Sequence, residues 1–407
     1  MTAAEKILQK TLVGSNLDSS EWNRIQAGLR DRAFFSSQVQ SAKILYAARE
    51  ISARSAAGST DISKARMEMR EALAGAGYTA AEGEEGTIKD LTSKTRLDAI
   101  IKTNVAQARG YVQYLDANTP GGYMHAPAQE LHRYQERKQK RDWVKRWTDA
   151  GGKLFGGRMI ALKDDPIWTR ISVFGNPFPP FDWGSGMGLR NVTAREAMEL
   201  GIISKEALKA KVAEKREAEK TGRIPGMNDS LSTEVPFKGD TPEMRRLEDA
   251  FGDQITHKDG RIVWRGDIVQ RAFDEGKPFK IRLGKPSNRL RSLLPESAGK
   301  ILKDKSFTVD GGWLDEPRLS GDSHRSHFGP DEKDARNMPL TKGDLDLIPA
   351  LWRNPDRVDI GGYNGAVICN LETFDGGTLR MVVDILKVPR IKSLYKNKPG
   401  IGSGGLT

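Results

Sequence analysis

The segment DDPIW at residues 164–168, followed by NPFPPFDWGSGMG at residues 176–188, decides how the surrounding chain folds. Proline disfavours the α conformation of the residue before it, so irregular backbone and short strands are predicted here rather than helix. The aromatic side chains of the segment are Trp168, Phe178, Phe181 and Trp183. We expect them to pack on one another and to hold an otherwise extended stretch in place, which is a structural role.

Three carboxylates in the same segment offer an alternative role. Asp164, Asp165 and Asp182 carry the oxygen ligands that divalent cations take in proteins. Aspartates in surface turns are far commoner than metal ligands, so the structural interpretation is favoured. The sequence predicts neither a metal site nor a cofactor.

The residues before this segment follow helical spacing. Asp61 is positioned to cap a helix whose apolar face includes Met69 and Leu73, and Asp90 to cap a long helix that ends near Asn118. One stripe of the long helix comprises Leu97, Ile101, Asn104, Ala108, Tyr111 and Leu115. A helix-rich N-terminal part is therefore predicted.

The next segment, residues 126–148, is strongly basic. Its cations are Arg133, Arg137, Lys138, Lys140, Arg141, Lys145 and Arg146. Trp143 and Trp147 are four residues apart, which would place both on one face of a basic helix. Such a helix can bind nucleic-acid phosphates, or its cations can form an ordinary solvated face, and the two interpretations are equally favoured.

Downstream, Thr193 and Glu196 have the spacing of a capping box, and a charged helix is predicted over residues 204–220. Residues 221–242 have the composition of a linker. From residue 278 the pattern becomes mixed α/β: a strand near 279–283, a helical turn at 345–351, strands at 366–371 and 379–386 joined at Gly376-Gly377, and a last strand at 391–395. The predicted division is 1–215, mainly helical with short β elements; 216–277, connecting; and 278–407, a small α+β domain.

Composition limits the class of protein. Among 407 residues the net charge is +11, which favours contact with polyanions such as DNA or RNA. One cysteine, Cys369, excludes an internal disulfide and a cysteine-based zinc cluster. No apolar run approaches the length of a membrane span, and no signal peptide is expected.

A second group of polar residues is SGDSHRSHFG at 320–329, where His324 and His327 stand three residues apart. Histidine can act as a general acid or base near neutral pH, and metal-free RNases combine such a base with cations that stabilise the transition state. Cations and hydroxyls follow at Arg380, Arg390, Lys392, Ser393, Tyr395, Lys396 and Lys398. The alternative is a polar loop whose histidines only form hydrogen bonds.

The order of features over residues 30–205 resembles the Mu-F-like minor head proteins of tailed phages. The resemblance rests on LDAIIKTNVAQARGYVQYL, the basic segment, DDPIW and PPFDWGSGM. One departure is that the Cys-x-Cys pair many members carry is missing at Phe181–Gly184, which puts a zinc role in doubt. The resemblance implies a few-copy protein of the virion, inside the capsid near the portal, with portal and capsid proteins and packaged DNA as partners.

Residues 278–407 resemble the nuclease toxin domains of the barnase, EndoU, colicin and RelE superfamily, which are often appended to such head proteins. The resemblance implies a helix followed by a curved antiparallel sheet of about four strands. It also implies a metal-independent endoribonuclease with His324 or His327 as general base and Lys392, Ser393 and Tyr395 facing the scissile phosphate. Arg380 and Lys396 would supply positive charge, and Glu372 and Asp384 are candidates for a carboxylate. Host RNA would be the substrate and an immunity protein a partner, with the host cytoplasm as a second location.

Three hypotheses stay open from sequence. The first is a head protein with a fused RNase. The second is the same head protein with a C-terminal domain that only binds portal, scaffold or DNA. The third is a DNA-binding protein unrelated to capsids, against which the order of DDPIW and PPFDW argues.

Overall fold

The computed structural model describes residues 1–137 and 140–220 continuously. Beyond them it describes 235–236, 239, 241–242, 245, 251, 255–258, 260–264, 280–284, 286, 288–294, 296, 307–310, 335–340, 342–345, 347–353, 355–361, 366–373, 376–385 and 390–400. The N-terminal part is rich in helices, and the C-terminal part combines helices with antiparallel sheets. The predicted fold class is confirmed at this level.

The first elements are mostly helices: α1 (Ala3–Leu8), β1 (Thr11–Leu12), α2 (Ser19–Asn23), α3 (Ala27–Asp31), β2 (Ala33–Phe34), α4 (Ala42–Ala56), α5 (Ile62–Gly75), α6 (Lys94–Ala117) and α7 (Pro120–His125). Asp61 caps α5 as predicted, accepting hydrogen bonds from two backbone amides. The predicted cap of α6 at Asp90 is wrong. Ser93 caps this helix, because the Asp90 carboxylate accepts hydrogen bonds from Thr92 and Gly86 and stabilises the preceding turn.

The middle of the chain forms a four-stranded antiparallel sheet with helices around it: β3 (Ala128–Arg133), α8 (Trp143–Asp149), β4 (Leu154–Phe155), β5 (Arg158–Leu162), α9 (Ile167–Arg170), β6 (Met187–Val192), α10 (Ala194–Glu199) and α11 (Lys205–Lys220). The strand order is β4-β5-β3-β6. Thr193 accepts the predicted bond from the Glu196 amide, while the Glu196 carboxylate binds Arg158 instead of closing a capping box.

The predicted basic helix from Arg133 to Arg146 is wrong as one element. Arg133 ends strand β3, and the helix α8 begins only at Trp143, capped by Asp142. Strand β3 pairs with β5 on one side and β6 on the other, so its backbone groups are satisfied in the sheet. Pairing on both sides outweighs local helix propensity.

The aromatic segment packs in two directions rather than as one cluster. Trp168 stacks on Phe181 at 5.8 Å between ring centroids and also meets Trp147 at 5.2 Å. Phe178 instead packs against Tyr111 and Tyr114 on α6. Trp183 lies against Phe174. The segment therefore joins the four-stranded sheet to the long helix, and the expectation of one mutual aromatic cluster is corrected.

The described C-terminal elements are β7 (Val235–Pro236), β8 (Ile255–Lys258), β9 (Arg261–Trp264), β10 (Lys280–Gly284), α12 (Asn288–Leu293), β11 (Phe307–Asp310), β12 (Asn337–Met338), α13 (Lys342–Leu345), α14 (Ile348–Arg353), β13 (Arg357–Ile360), β14 (Val367–Glu372), β15 (Thr378–Asp384) and β16 (Arg390–Asn397). They form antiparallel sheets of order β7-β9-β8, β10-β11 and β12-β16-β15-β14-β13. Helices followed by a meander from β13 to β16 agree with the expectation for this region.

The largest buried cluster joins the two ends of the chain. Side chains of α1, α4, α5 and α6 pack with side chains of α13, α14 and the five-stranded sheet. Lys43 of α4 forms an ion pair with Glu372 of β14. The N-terminal helices and the C-terminal sheet therefore share one core, while the domain boundaries near 215 and 278 stay predictions. Most of the predicted linker at 221–242 lies outside the described residues, and no described helix is long and apolar enough to cross a membrane.

Candidate functional site

A row of polar side chains crosses the five-stranded sheet. Arg357 of β13 is paired with Asn370 of β14, Asn370 with Arg380 of β15, and Arg380 with Tyr395 of β16. Residues directly opposite one another in adjacent strands point to the same face of a sheet. The neighbouring row, which includes Cys369, points to the other face and is buried in the shared core. One face of the sheet is thus apolar and the other carries this polar row.

Arg380 lies at the centre of the polar row. Its guanidinium lies over the Tyr395 ring at 5.6 Å from the centroid, and its Nη2 is 3.8 Å from Oδ2 of Asp359. The same Asp359 oxygen accepts hydrogen bonds from Arg357 at 3.0 Å and from Asn370 at 3.1 Å. Asp359 therefore neutralises part of the positive charge of the row and orients its members.

Two buried atoms of this row lack a hydrogen-bond partner among the described residues. They are Nε of Arg380, a donor, and Oδ1 of Asn370, an acceptor. Buried polar groups are normally paired, so an unpaired donor and acceptor on adjacent strands mark a place where a bound polar group would be favourable. Arg380 as a whole is only 8% exposed.

Tyr395 keeps its proton at neutral pH. Burial raises the pKa of the phenol, and the nearby Arg380 and Arg336 guanidinium groups oppose this effect only in part. A neutral phenol beside a guanidinium is a hydrogen-bond donor that can give a proton to a negatively charged oxygen.

Lys392 and Ser393 extend the row along β16. Ser393 is paired with Val382 and Ile391 with Val383, so Lys392 is the extra residue of a bulge. Its ammonium is 3.5 Å from Oδ2 of Asp384, which lies on the same face of β15 as Arg380. Bulges commonly re-aim a side chain near functional sites. Four predicted residues, Arg380, Lys392, Ser393 and Tyr395, are thus brought to one part of the sheet.

Other predicted residues are placed elsewhere. His324 and His327 lie outside the described residues. Lys396 is paired with Leu379, is 4% exposed, and interacts electrostatically with Glu50, whose pKa is raised by burial. It therefore does not offer its ammonium at the surface for a nucleic acid. Glu372 is exposed and forms an ion pair with Lys43 of α4.

The predicted nucleic-acid-binding segment runs from the end of β3 through the β3–α8 connection into α8, with Lys138 outside the described residues. Arg141 and Arg146 both bind Asp182, at 3.2 and 2.8 Å, and Arg146 also lies over Trp143. These two arginines therefore attach the connection to the aromatic segment. Arg133 donates to the carbonyls of Ser185 and Arg141, and Arg137 to Gln135.

Two lysines of this segment are open to solvent. The side chains of Lys140 and Lys145 are 61% and 69% exposed, in i,i+4 ion pairs with Glu136 and Asp149. Tyr134, which the sequence did not single out, is 67% exposed beside them in the chain. Exposed pairs of this kind contribute little to stability, so the lysines are available to phosphate groups.

The alternative of a metal site in the aromatic segment gains no support from the described residues, none of which form a group of three or more ligands. Asp164 accepts hydrogen bonds from Tyr123 at 2.8 Å and Lys211 at 2.6 Å. Asp182 is bound by the two arginines described above. Each carboxylate already has cationic or hydroxyl partners within the chain.

Asp359 and Asn370 are the members of the polar row that sequence reasoning missed. Their signal is the strand register, which brings Asn370 opposite Arg380 and cannot be read without the length of the intervening turn. Comparison with protein families, with curated proteins and with solved structures yielded no match. The functional argument therefore depends on the geometry of the chain itself.

Proposed function

We propose that the chain is a phage head-morphogenesis protein whose C-terminal part is a metal-independent endoribonuclease. The observation that carries the enzymatic half is the placement of Arg380 and Tyr395 side by side on the polar face of the five-stranded sheet, with Ser393 and Lys392 along the same strand. Two cations, a phenol and a hydroxyl along two adjacent strands suit a phosphodiester.

The reaction that fits is internal transfer. The ribose 2′-oxygen attacks phosphorus, the bond from phosphorus to the 5′-oxygen breaks, and a 2′,3′-cyclic phosphate and a 5′-hydroxyl result. Arg380 and Lys392 stabilise the charge that builds on the phosphoryl oxygens. The Tyr395 phenol donates a proton to the departing oxygen, and His324 or His327 takes the proton of the attacking hydroxyl.

The head-protein half rests on the resemblance over residues 30–205 and on two exposed lysines, Lys140 before α8 and Lys145 within it. Its partners would be the portal and capsid proteins and packaged DNA, in the capsid interior near the portal. Host RNA would be met in the cytoplasm, and an immunity protein would protect the producing cell.

RNA cleavage by the full chain tests the enzymatic half. We expect a fluorescently labelled RNA to be cut in the presence of a chelator, giving 2′,3′-cyclic phosphate ends. Tyr395→Phe should lower the rate by about 100-fold or more, the usual loss when a general acid is removed. Tyr134→Phe, an exposed tyrosine outside the sheet, is the matched control and should cut like the wild type.

The histidine pair is tested in the same assay with a His324→Ala, His327→Ala double variant, which should also lose cleavage. A folded wild-type chain that binds RNA without cutting it would favour the alternative, a head protein with a non-catalytic binding module. Cleavage that requires a divalent metal would contradict the proposed mechanism.

Binding of duplex DNA tests the role of Lys140 and Lys145. Each phosphate contact contributes about one unit to the slope of log affinity against log salt, so Lys140→Gln with Lys145→Gln should lower that slope by about two. The control removes two exposed, ion-paired lysines elsewhere, Lys102→Gln with Lys220→Gln. An equal loss in both double variants would mean that only net charge matters.

The virion assignment is tested separately by mass spectrometry of purified phage particles. The chain should be present in few copies and protected from added protease until the capsid is opened. Its absence from particles, with DNA binding intact, would favour the third hypothesis of a DNA-binding protein unrelated to capsids.

A further inference from the structure

A cleft opens between the first half of α6, the segment from α2 to β2, and the aromatic segment. The space between its walls, counted together with the solvent at its open mouth, is about 750 Å³, and the walls include Arg30, Phe35, Arg96, Asn104, Phe174 and Trp183. The cleft is remote in sequence from the polar row of the five-stranded sheet, and the proposed nuclease does not use it.

The Arg30 guanidinium in this cleft is held entirely by neutral oxygens. It donates to the Ile25 carbonyl at 2.8 Å, to Oδ1 of Asn23 at 3.0 Å and to the Phe174 carbonyl at 2.9 Å. Burial lowers its pKa to about 10, with no charged neighbour contributing. The side chain is therefore a fixed cation without a carboxylate partner in the described part of the chain.

Arg96 has the same character. Its Nη2 donates to Oγ of Ser36 at 3.0 Å and to the Ser37 carbonyl at 2.7 Å. Its Nε is buried and has no hydrogen-bond partner among the residues described. Burial is the largest influence on its pKa, which is lowered.

The remaining charges of the cleft do not balance these two cations. Asp31 is ion-paired with Lys6, and although burial acts to raise the pKa of its carboxyl, Lys6 and Lys10 hold that pKa below its usual range. Lys10 lies in the cleft wall, where burial lowers its pKa to about 8. The cleft wall thus holds three cations, Arg30, Arg96 and Lys10, and one carboxylate, Asp31, which is already paired with Lys6.

Aromatic rings and amides complete the walls. Trp22 stacks on Phe35 at 3.9 Å, and Trp183 meets Phe174 edge-on at 4.9 Å. Trp183 is 41% exposed, so part of its ring is open at the cleft. Neutral amides with both donors and acceptors stand among them, at Asn23, Asn104, Gln107 and Asn176.

We propose that this cleft binds a nucleoside phosphate, with the phosphate on the Arg30 and Arg96 guanidinium groups and the base against Trp183. Guanidinium groups are the preferred partners of phosphate oxygens, and bases stack on exposed tryptophan. The amides match the edge of a base. The ligand comes either as a free nucleotide or as the phosphorylated end of a nucleic-acid strand. Arg141, in the connection between β3 and α8, donates a hydrogen bond to the backbone carbonyl of Trp183 at 3.0 Å. The connection therefore lies next to the cleft.

Calorimetric titration of the full chain tests this site with three probes: dAMP, deoxyadenosine and inorganic phosphate. We expect saturable binding of dAMP, at least about tenfold tighter than either of the other two, because only dAMP uses both the cations and the ring. Arg96→Gln should weaken dAMP by about tenfold or more and leave deoxyadenosine unchanged. Arg109→Gln, an exposed arginine on the same helix, is the matched control and should bind like the wild type.

Trp183→Leu is a second variant that leaves both guanidinium groups in place, and it should weaken dAMP but not inorganic phosphate. Competition with single-stranded DNA identifies the source. If a 5′-phosphorylated strand displaces dAMP and its 5′-hydroxyl form does not, the ligand is the phosphorylated end of a strand. If neither strand displaces dAMP, the ligand is a free nucleotide. The proposal would be overturned if folded wild-type protein showed no saturable binding of dAMP. It would also be overturned if Arg96→Gln bound dAMP as tightly as the wild type, or if the wild type bound inorganic phosphate as tightly as dAMP.

Discussion

Gly110 shows how a single residue lets two parts of the chain approach. It is in the interior of α6, where glycine is unfavourable by about 1 kcal/mol relative to alanine. A Cβ at this position would overlap the carbonyl oxygen of Pro179 and touch the Phe178 ring. The glycine is therefore required for the aromatic segment to pack against the long helix.

Gly110→Ala should destabilise the protein by about 1–3 kcal/mol, the usual cost of overpacking a core, despite the better helix propensity of alanine. Urea denaturation of the wild type and of the variant measures this change in the free energy of unfolding. The control is Gly75→Ala at the end of α5, where a new Cβ meets nothing within 4 Å and where we expect no loss of stability. A stabilising Gly110→Ala would mean that the aromatic segment does not pack against α6 in solution.

The Lys163 side chain links the end of β5 to helices α6 and α7 by hydrogen bonds to their backbone carbonyls. It follows β5, is 1% exposed, and donates to the carbonyl of Ala117, the last residue of α6, at 2.9 Å and to that of Gly122 in α7 at 3.1 Å. A cation on the last carbonyls of a helix complements their partial negative charge. Burial, with Lys215 nearby, lowers the pKa of Lys163 to about 8.

This pKa makes the junction of α6, α7 and β5 sensitive to alkaline pH. The folded pKa of about 8 lies below the ordinary value of 10.5, so between them the unfolded chain binds more protons. The contribution of Lys163 to stability should therefore rise as pH rises through this window. The free energy of unfolding of the wild type minus that of Lys163→Met should be larger at about pH 9.5 than at about pH 7.5.

Urea titrations at both pH values measure this difference, which cancels the titration of groups that do not interact with Lys163. Lys209→Met, an exposed lysine of α11, is the control and should give a difference that does not change with pH. A constant difference for Lys163→Met would show that the ammonium is solvated in the folded protein.

Helices were the most predictable elements, because periodic apolar residues identify a buried face without knowledge of the partner. The spacing of Ala65, Met69 and Leu73 predicted α5, and all three are buried. Strand β3 was missed because its pairing with β5 and β6 is not local. Its many basic neighbours suggested an exposed helical face instead.

The register of the polar row could not be predicted for a related reason. A two-residue turn at Gly376-Gly377 would place Asn370 opposite Val383, which would put Asn370 and Arg380 on different faces. The turn is longer, since the Thr373 amide donates to the Gly377 carbonyl, and Asn370 is opposite Arg380. Sequence thus indicated Arg380 and Tyr395, while the turn length brought Asn370 and Asp359 to them.

At the scale of the whole molecule, the shared core couples distant parts of the chain. Leu45 of α4 and Cys369 of β14 are fully buried in the same cluster, and the two elements are in contact. No periodicity in the sequence could have shown that these elements meet. Cys369 is the sole cysteine, and burial raises the pKa of its thiol to about 12. Its reaction with a thiol reagent therefore reports opening of the sheet.

Leu45→Ala should accelerate labelling of Cys369 in native buffer by about 30-fold or more, since such truncations cost about 2 kcal/mol or more. The matched control is Leu131→Ala, an equal truncation in the cluster beneath the four-stranded sheet, which should leave the labelling rate within about twofold. Labelling that Leu45→Ala does not change would show that α4 is not part of the core of the five-stranded sheet.

The order β12-β16-β15-β14-β13 has a consequence for synthesis. Strand β16 is the last of these five strands in chain order, yet it is an interior strand of the sheet, between β12 and β15. While the ribosome still covers β16, the edges of β12 and β15 that pair with it are unpaired. Helix α4 is synthesised more than 300 residues earlier, and the core in which it packs still lacks the side chains of β16. Translation that stops before β16 would thus leave aggregation-prone edges and a polar row without Tyr395. A truncated chain of this kind would lack the complete polar row on which the proposed nuclease activity depends.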